Sequence, residues 1–252
     1  AMTMLQVEAL TKKYPAFTLQ DVGFSLEAGR IMGLIGRNGA GKSTTLKAML
    51  HLVCPDHGKI HMLGRDFAKE EKACKQELGV VLGGVAFYQT KTLRAITGVT
   101  RRFYPNWDEA AYQKYLRFFE LDEQKQIRQL SEGMKVKYSL TLALSHGARL
   151  FLLDEPTSGL DPVAREELLE LFRQLVRDGD RSILFSTHIT SDLEQCADDI
   201  TYIRNGRVVA SADRESFIRS FQNLKPSAGP ALTLEQIMVN CEKEGGYDSF
   251  AL

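Results

Sequence analysis

The apolar residues of this chain fall into short runs that alternate with helical patterns. The short runs are rich in aliphatic and β-branched residues and are predicted to be strands. They lie at residues 4–7, 31–35, 80–82, 150–153, 183–185 and 200–203. Helices are predicted at residues 42–51, 109–119, 135–145, 163–177 and 189–196. This alternation predicts an α/β fold in which crossover helices connect the strands of a mainly parallel sheet.

One stretch of the chain departs from this alternation. Between residues 92 and 146 the strand pattern stops, and consecutive helices are predicted, interrupted by Pro105 and by a turn at residues 131–133. We interpret the stretch as a helical subdomain inserted into an α/β domain that covers residues 1–222.

The pattern weakens after residue 213, and the end of the chain is predicted to be separate from this domain. Residues 223–252 are predicted to form a linker and one short helix at residues 232–242. Leu234, Ile237, Met238 and Cys241 recur at helical spacing. The helix is therefore expected to bury one face on the core or on a partner chain.

A glycine-rich loop lies between the predicted strand 31–35 and the predicted helix 42–51. It reads G-R-N-G-A-G-K-S-T and fits the pattern G-x-x-x-x-G-K-[ST] in the required strand-loop-helix context. Its glycines allow a tight turn in which backbone N–H groups point inward, and the helix N-terminus adds positive charge to the same anion site. The residues predicted to bind a nucleotide here are Gly36, Asn38, Gly39, Ala40, Gly41, Lys42, Ser43 and Thr44.

Two side chains of this loop have predicted roles in chemistry. Lys42 can reach the β- and γ-phosphates, so we assign it to catalysis as well as binding. The hydroxyl group of Ser43 can hold Mg²⁺.

A second motif consists of four apolar residues, 150–153, followed directly by Asp154 and Glu155. Such a buried strand delivers carboxylates to the ligand-binding edge of an α/β sheet. Asp154 is predicted to share the Mg²⁺ ion with Ser43. Glu155 lies beyond the strand and is predicted to be the general base that positions water in line with the γ-phosphate.

Charge and cysteine content limit the partners and the cellular compartment that we expect for this chain. Lysine plus arginine and aspartate plus glutamate number 32 each, so no excess positive charge favours nucleic acid or an anionic membrane. The four cysteines are far apart and include no C-x-x-C pair, which indicates reduced thiols in the cytoplasm. No apolar run approaches the roughly 20 residues of a membrane-spanning helix. We expect a cytoplasmic protein without nucleic acid as a partner.

Further motifs follow in a fixed order. The segment L-S-E-G-M at residues 130–134 resembles the signature loop of ABC ATPases, S-G-L-D at residues 158–161 resembles their D-loop, and His188 resembles their switch histidine. Tyr14 lies where this family has an aromatic residue that stacks on adenine. The resemblance covers about residues 4–215. It implies a P-loop NTPase fold of ABC type with antiparallel N-terminal strands, and an ATPase that uses Mg²⁺ and a catalytic His188.

The signature loop implies a second subunit. Ser131 and Gly133 precede the predicted helix 135–145, so a hydroxyl group, backbone N–H groups and a helix N-terminus form another anion site. In the family this site serves the γ-phosphate held by the other subunit, and Asp161 lies at the subunit junction. The resemblance implies ATP bound between two ATPase subunits, identical or different. It also implies integral membrane subunits that hold the pair at the inner face of the cell membrane.

Two features depart from the commonest family pattern. Glu132 and Met134 stand where the signature loop usually has glycine and glutamine. Together with F-Y-P-N-W-D at residues 103–108, this form is similar to bacterial ATPases that partner ABC-2-type exporters of peptides or antibiotics. Gly83-Gly84 replaces the usual Q-loop glutamine, and Gln89 is the next candidate. No glutamine is therefore assigned to that loop.

Two alternative functions are weighed against transport. A non-transport ABC protein would need a second ATPase domain or a long coiled-coil insertion, and neither fits within 252 residues. A regulatory module that binds ATP without useful turnover remains open, because the signature loop is altered. However, Lys42, Asp154, Glu155 and His188 are all present. A neighbouring gene that encodes about six apolar helices would favour transport.

Overall fold

The computed structural model describes residues 2–82, 88–222 and 230–244. Gly83 and Gly84, which stand in place of the Q-loop glutamine, lie outside these residues, as does most of the predicted linker. None of the helices in the described residues combines the length and the apolar character that crossing a bilayer requires.

The strands of the described chain form two sheets. In chain order they are β1 (Thr3–Lys13), β2 (Thr18–Glu27), β3 (Ile31–Ile35), β4 (His57–Met62), β5 (Arg65–Asp66), β6 (Leu78–Val81), β7 (Leu150–Asp154), β8 (Ser182–Thr187), β9 (Asp199–Arg204) and β10 (Arg207–Asp213). The larger sheet has the order β10-β9-β3-β8-β7-β6, and its neighbours are parallel except for β9 and β10. The smaller sheet, β2-β1-β4-β5, is antiparallel.

Helices connect these strands and cover the larger sheet. They are α1 (Lys42–Met49), α2 (Phe67–Gln76), α3 (Leu93–Thr100), α4 (Glu109–Phe118), α5 (Glu132–Ser145), α6 (Pro162–Val176), α7 (Thr190–Cys196), α8 (Arg214–Ser220) and α9 (Leu234–Glu244). Two single 3-10 turns occur at Arg101–Phe103 and Ile127–Gln129. Helices α3, α4 and α5 follow one another between β6 and β7, as predicted for residues 92–146. The division of the chain into a domain of residues 1–222 and a tail stays a prediction.

The larger sheet is the middle layer of the molecule, because side chains on both of its faces are buried. In β7, Leu150 and Leu152 join a core shared with the smaller sheet, whereas Phe151 and Leu153 join a core shared with helices α5 and α6. A strand with two buried faces needs an apolar residue at each position. This explains why β7 appears in the sequence as a continuous apolar run that ends at an acid.

The predicted α/β fold is confirmed, although elements such as β2, α2 and β10 were not predicted, and two further places need correction. The helix expected at residues 135–145 begins at Glu132, because the side chain of Ser131 caps it by accepting a hydrogen bond from the Met134 N–H at 3.2 Å. Gly133 therefore lies in the first turn and not ahead of the helix. The second correction is α8, which begins directly after Asp213, where the pattern predicted no element.

The tail helix α9 begins two residues later than predicted. Leu234, Ile237 and Cys241 are 1%, 0% and 6% exposed, so its apolar face packs on the core of the same chain. The sequence left open whether this face packs on the core or on a partner chain, and in the structure it packs on the core.

Gly206 joins both sheets to the phosphate-binding loop. With Asn205 it forms the turn between β9 and β10. Its N–H donates a hydrogen bond to the carbonyl of Ala40 in the loop at 2.8 Å. Its carbonyl accepts a hydrogen bond from the N–H of Gln20 in β2, also at 2.8 Å. Gly206 has φ +74°, and an added Cβ would lie 1.9 Å from the carbonyl oxygen of Thr18. An alanine at this position would therefore have to move the backbone.

We expect Gly206→Ala to lower the free energy of unfolding by about 3 kcal/mol, through left-handed strain and the clash with Thr18. The matched control is Gly147→Ala, because Gly147 has φ +81° and open space around it. That change should cost only about 1 kcal/mol. Urea unfolding of the two variants measures the difference, and equal losses would contradict the role given to Gly206.

Candidate functional site

The predicted catalytic residues meet at one edge of the larger sheet. Strands β3, β8 and β7 are adjacent and parallel, so their carboxyl ends reach the same edge. The phosphate-binding loop follows β3, the two acids lie at the end of β7, and His188 follows β8. Asp154 is paired in register with Ser186. The acids and the histidine segment are therefore neighbours.

The glycines of the phosphate-binding loop are required by its geometry. An added Cβ on Gly36 would lie 2.3 Å from the carbonyl oxygen of Ile203, so only glycine allows the loop to approach β9 this closely. Gly39 and Gly41 have φ values of +82° and +114°, a region that glycine adopts readily. The loop turns tightly, and α1 begins directly after Gly41.

The other residues of the loop differ in exposure. Ala40 is buried, and its N–H donates to the carbonyl of Arg37 at 3.0 Å. Asn38 and Ser43 are exposed, and Thr44 is half-buried in the first turn of α1. Polar side chains are thus available on the outer side of a compact loop.

Lys42 is buried at the centre of this loop. Its side chain is 5% exposed, and its Nζ donates to the carbonyl oxygens of Gly36 at 2.7 Å and Arg37 at 3.1 Å. The same Nζ lies 3.6 Å from Oε1 of Glu155. Burial lowers the pKa of Lys42, while the charge of Glu155 opposes this shift. The ammonium group therefore lies between the phosphate-binding loop and the acid pair.

Ser43 and Asp154 provide oxygen atoms of the kind that Mg²⁺ prefers. The Ser43 hydroxyl donates to Oδ1 of Asp154 at 3.1 Å, and the Ser186 hydroxyl donates to the same oxygen at 2.6 Å. This donor set fits a magnesium site that Ser43 and Asp154 would form. Ser186 would then orient the carboxylate from behind.

Glu155 leaves the strand in an uncommon backbone conformation. Its φ is +48°, in the left-handed region, which costs about 1 kcal/mol or more for a residue other than glycine. Its N–H donates to the Ser186 hydroxyl at 2.9 Å, and His188 Nδ1 lies 2.9 Å from its Oε2. With Lys42 near the other oxygen, the carboxylate is held in one direction, as a general base requires.

Asp192 joins the two segments that carry these groups. It lies in α7 and is fully buried. Its Oδ2 accepts hydrogen bonds from the hydroxyl of Thr157 at 2.5 Å and from the hydroxyl of Thr187 at 3.4 Å. Thr157 lies two residues after Glu155, and Thr187 directly precedes His188. Asp192 is therefore placed to position Glu155 and His188, the predicted base and switch histidine.

The sequence analysis did not identify Asp192. An acid in the first turn of a helix is usually a favourable surface charge, and nothing in its local sequence indicates burial. Arg165 Nε lies 3.8 Å from its Oδ1. Burial raises the pKa of Asp192, although the hydrogen bond from Thr157 opposes the shift. Only the folded structure shows that this acid is internal.

We expect Asp192→Ala to lower kcat about tenfold or more, because Glu155 and His188 lose a common anchor, with little change in ATP affinity. Asp192→Asn keeps one acceptor oxygen for the threonine hydroxyls and should recover part of the lost rate. The rate of phosphate release measures kcat, and calorimetry measures ATP affinity. Parallel losses of ATP affinity, thermal stability and kcat, without rescue by asparagine, would indicate a purely structural role.

Tyr14 lies in the connection between β1 and β2, next to the phosphate-binding loop. Tyr14 is 39% exposed, and Lys12 Nζ lies 5.7 Å from its ring centre. Its N–H donates to the carbonyl of Phe17 at 2.8 Å, and Phe17 packs against Gly41, where an added Cβ would lie 2.9 Å from its Cζ. An accessible aromatic face beside the loop is suited to stacking on a base.

Ser131, Gly133 and Asp161 lie together at a different place. Ser131 is exposed at the N-terminus of α5, and a Cβ on Gly133 would lie 3.2 Å from Leu160 Cδ2. Asp161 caps α6 by accepting hydrogen bonds from two backbone N–H groups, at 3.0 and 3.1 Å. In the part of the chain that the structure describes, no hydrogen bond or ion pair joins these three residues to the phosphate-binding loop. The anion half-site at Ser131 and Gly133 stays a prediction.

Known proteins are similar to this chain in sequence and in fold. The family model for ABC transporters matches residues 19–158, more than half of the 252 residues. The ABC transporter ATP-binding protein YtrB of Bacillus subtilis is 32% identical over 221 residues, 86% of this chain and 75% of that protein. The bacitracin transport ATP-binding protein BcrA of Bacillus licheniformis is 31% identical over 210 residues, 82% of this chain and 69% of that protein.

A solved structure described as the ATP binding subunit of an ABC transporter superposes with a TM-score of 0.82. It is 31% identical in sequence, and the match covers 95% of this chain and 100% of the other. The length of these matches and the site geometry lead to the same conclusion. The chain belongs to the ABC transporter family, as an ATP-binding subunit that contains the family's ATPase domain.

Proposed function

We propose that this chain hydrolyses Mg-ATP between two ATPase subunits and thereby drives export through separate membrane subunits. One observation carries the proposal: Lys42 Nζ lies 3.6 Å from one carboxylate oxygen of Glu155, and His188 Nδ1 lies 2.9 Å from the other. A cation for phosphate, a carboxylate for water and a histidine that orients the carboxylate therefore lie side by side. A module that only binds ATP has no need for this arrangement.

The chemistry assigned to these residues is hydrolysis of the terminal phosphate. A water oxygen attacks the γ-phosphorus, Glu155 accepts a proton from this water, and the bond between the γ-phosphorus and the β–γ bridging oxygen breaks to give ADP and phosphate. Lys42 stabilises the negative charge on the phosphate oxygens. Mg²⁺, held by Ser43 and Asp154, would neutralise further phosphate charge.

A second subunit is needed because the anion half-sites lie apart. Ser131 is exposed at the start of the 14-residue helix α5, where a hydroxyl group, backbone N–H groups and the helix dipole favour an anion. In the proposed dimer, Ser131 and Gly133 of one subunit approach the γ-phosphate bound by Lys42 of the other. Each ATP would then hold the two subunits together.

A groove on another side of the molecule supports a membrane partner. It has a volume of about 340 Å³ and lies between the end of α1, strand β6 and helices α3 and α5. Leu52 and Val80 at this groove are 57% and 37% exposed, and Tyr104 stacks on His146 with ring centres 3.8 Å apart. Exposed apolar side chains beside a polar rim are typical of interaction sites. We propose that the membrane subunit contacts this groove.

The cargo is proposed from the relatives and from the form of the signature loop. BcrA is named for bacitracin transport, and the signature loop with Glu132 and Met134 resembles that of peptide and antibiotic exporters. We propose that the exported compound is a peptide, an antibiotic or a lipid-like molecule. The ATPase pair would act at the inner face of the cell membrane.

The shared site is tested by the dependence of ATPase activity on protein concentration. Because two chains form each site, the rate of phosphate release per chain should rise as protein concentration increases and then reach a plateau. Removing Mg²⁺ with a chelator should abolish the rate. A constant rate per chain in a range where light scattering shows only monomers would contradict the proposed function.

A further inference from the structure

A second groove opens beside the phosphate-binding loop, and α9 forms one of its walls. The opposite wall consists of Gly36, Arg37 and Asn38 of the loop and residues 188–191, where β8 leads into α7. The groove has a volume of about 1020 Å³. It therefore includes the surface formed by the loop and His188 that faces away from the core.

Helix α9 has two different stripes of side chains. The first, formed by Leu234, Ile237 and Cys241, is buried in the core. The second faces the groove with the spacing of a continuous helix face. It consists of Glu235, Met238, Val239, Glu242 and Lys243. Met238 also packs against the core and Glu242 makes polar contacts described below, whereas Val239 is 43% exposed and is open to another contact.

The position of α9 beside the loop is fixed by polar contacts as well as by packing. The hydroxyl of the fully buried Tyr202 donates to Oε1 of Glu242 at 2.8 Å. The other oxygen of Glu242 lies 3.8 Å from Nη1 of Arg37 in the phosphate-binding loop. Helix α9 is therefore a fixed wall that continues the surface of the loop.

We infer that the outer stripe of α9, centred on Val239, is part of the surface on which the second ATPase subunit docks. The inference rests on the proposed function, because that subunit must cover the loop and His188 to bring its Ser131 to the phosphates. Because the loop and α9 form opposite walls of one groove, a second subunit that covers the loop would also contact α9. Val239 is 43% exposed, so it offers an apolar side chain at the expected contact.

The size of a stable interface also favours this occupant. A specific interface buries about 800 Å² on each partner, more than a single loop presents. In a two-fold dimer both subunits present the same surface, so each would contribute its own α9. The groove lies directly beside the phosphate-binding loop, which the second subunit must reach. We therefore take a second ATPase chain as the partner of the outer stripe of α9.

The test places a charge at Val239 in the Glu155→Gln chain and measures the dimer dissociation constant with Mg-ATP by sedimentation. Val239→Asp should raise Kd about tenfold or more, because docking would bury a carboxylate beside Glu235 and Glu242. Val239→Leu, which stays apolar, should remain near the parent. The matched control is Val209→Asp, because Val209 on β10 is 46% exposed and does not line the groove.

The outcomes separate this inference from the proposed function. If Val239→Asp binds ATP and dimerises as tightly as its parent, α9 is not part of the interface, although the shared site stands. If the Glu155→Gln parent itself stays monomeric when saturated with ATP, the shared site fails and the inference fails with it. A Val239→Asp chain that dimerises normally but no longer binds its membrane subunit would assign α9 to that partner instead.

Discussion

Replacing Glu155 with glutamine is expected to reduce ATP hydrolysis about a hundredfold or more, while ATP binding persists. Glutamine has nearly the same size and can still form a hydrogen bond with water. It can neither accept a proton nor supply the negative charge that orients the water. Glu155 lies 3.6 Å from Lys42 Nζ, and the neutral amide leaves that cation free to bind phosphate. Phosphate release measures the rate, and calorimetry measures binding.

The same variant should accumulate as an ATP-dependent dimer. Unhydrolysed ATP would remain between Lys42 of one subunit and Ser131 and Gly133 of the other, so mass action favours the pair. Size-exclusion chromatography with light scattering, with and without Mg-ATP, measures this. The control is Glu166→Gln, because Glu166 is an exposed glutamate on α6.

Two results would contradict these roles. Hydrolysis at the parental rate would show that Glu155 is not the base. An inactive variant that is saturated with ATP and still monomeric would show that the altered signature loop has no role across the interface.

Replacing Lys42 with alanine should weaken ATP binding about tenfold or more, because charge-assisted contacts to phosphate contribute roughly 1.5–3 kcal/mol. The buried ammonium group is central to the site, with the carbonyl of Gly36 at 2.7 Å and Glu155 at 3.6 Å. Its loss removes the cation closest to the phosphates and leaves the charge of Glu155 uncompensated.

Lys47→Ala is a matched control for this change, because Lys47 is an exposed lysine on the same helix. It removes an equal charge away from the loop and should bind ATP as the parent does. Calorimetric titration measures the ATP affinity of the parent, of Lys42→Ala and of Lys47→Ala. Equal affinity for the Lys42→Ala chain and its parent would exclude the assigned role of the loop.

The residues of the candidate site were largely predictable because their signals are local. The phosphate-binding loop lies within nine consecutive residues between a strand and a helix, and Asp154 and Glu155 directly follow a continuous apolar run. Parallel strands then bring the separate segments to one edge without further information. Ser131 was also identified from its position before a helix, although its capping bond moves the start of α5 to Glu132.

The features that were not predicted depend on contacts between distant parts of the chain. Asp192 acts through Thr157, 35 residues away, and its burial has no local signal. Strands β2 and β10 alternate between covered and exposed residues and so lack the continuous apolar run of the central strands. The sequence also predicted α9 as a helix, but its position beside the phosphate-binding loop depends on tertiary contacts such as that between Tyr202 and Glu242.

Mixing two inactive variants shows whether each ATP site combines residues of two chains. Lys42→Ala removes the cation that stabilises the phosphate charge, so we expect it to abolish hydrolysis as well as weaken ATP binding. Gly133→Asp places a carboxylate in the other half-site, where an added Cβ needs only a small adjustment of Leu160 Cδ2 at 3.2 Å. A mixed dimer carries both defects in one site and none in the other.

If each site is shared, an equal mixture should regain ATPase activity that neither variant has alone. Random pairing makes half of the dimers mixed, and each has one intact site, so the activity should approach about a quarter of the parental rate. Labelled chains confirm that mixed dimers form. A mixture that contains such dimers but hydrolyses ATP no faster than the separate variants would contradict the shared site.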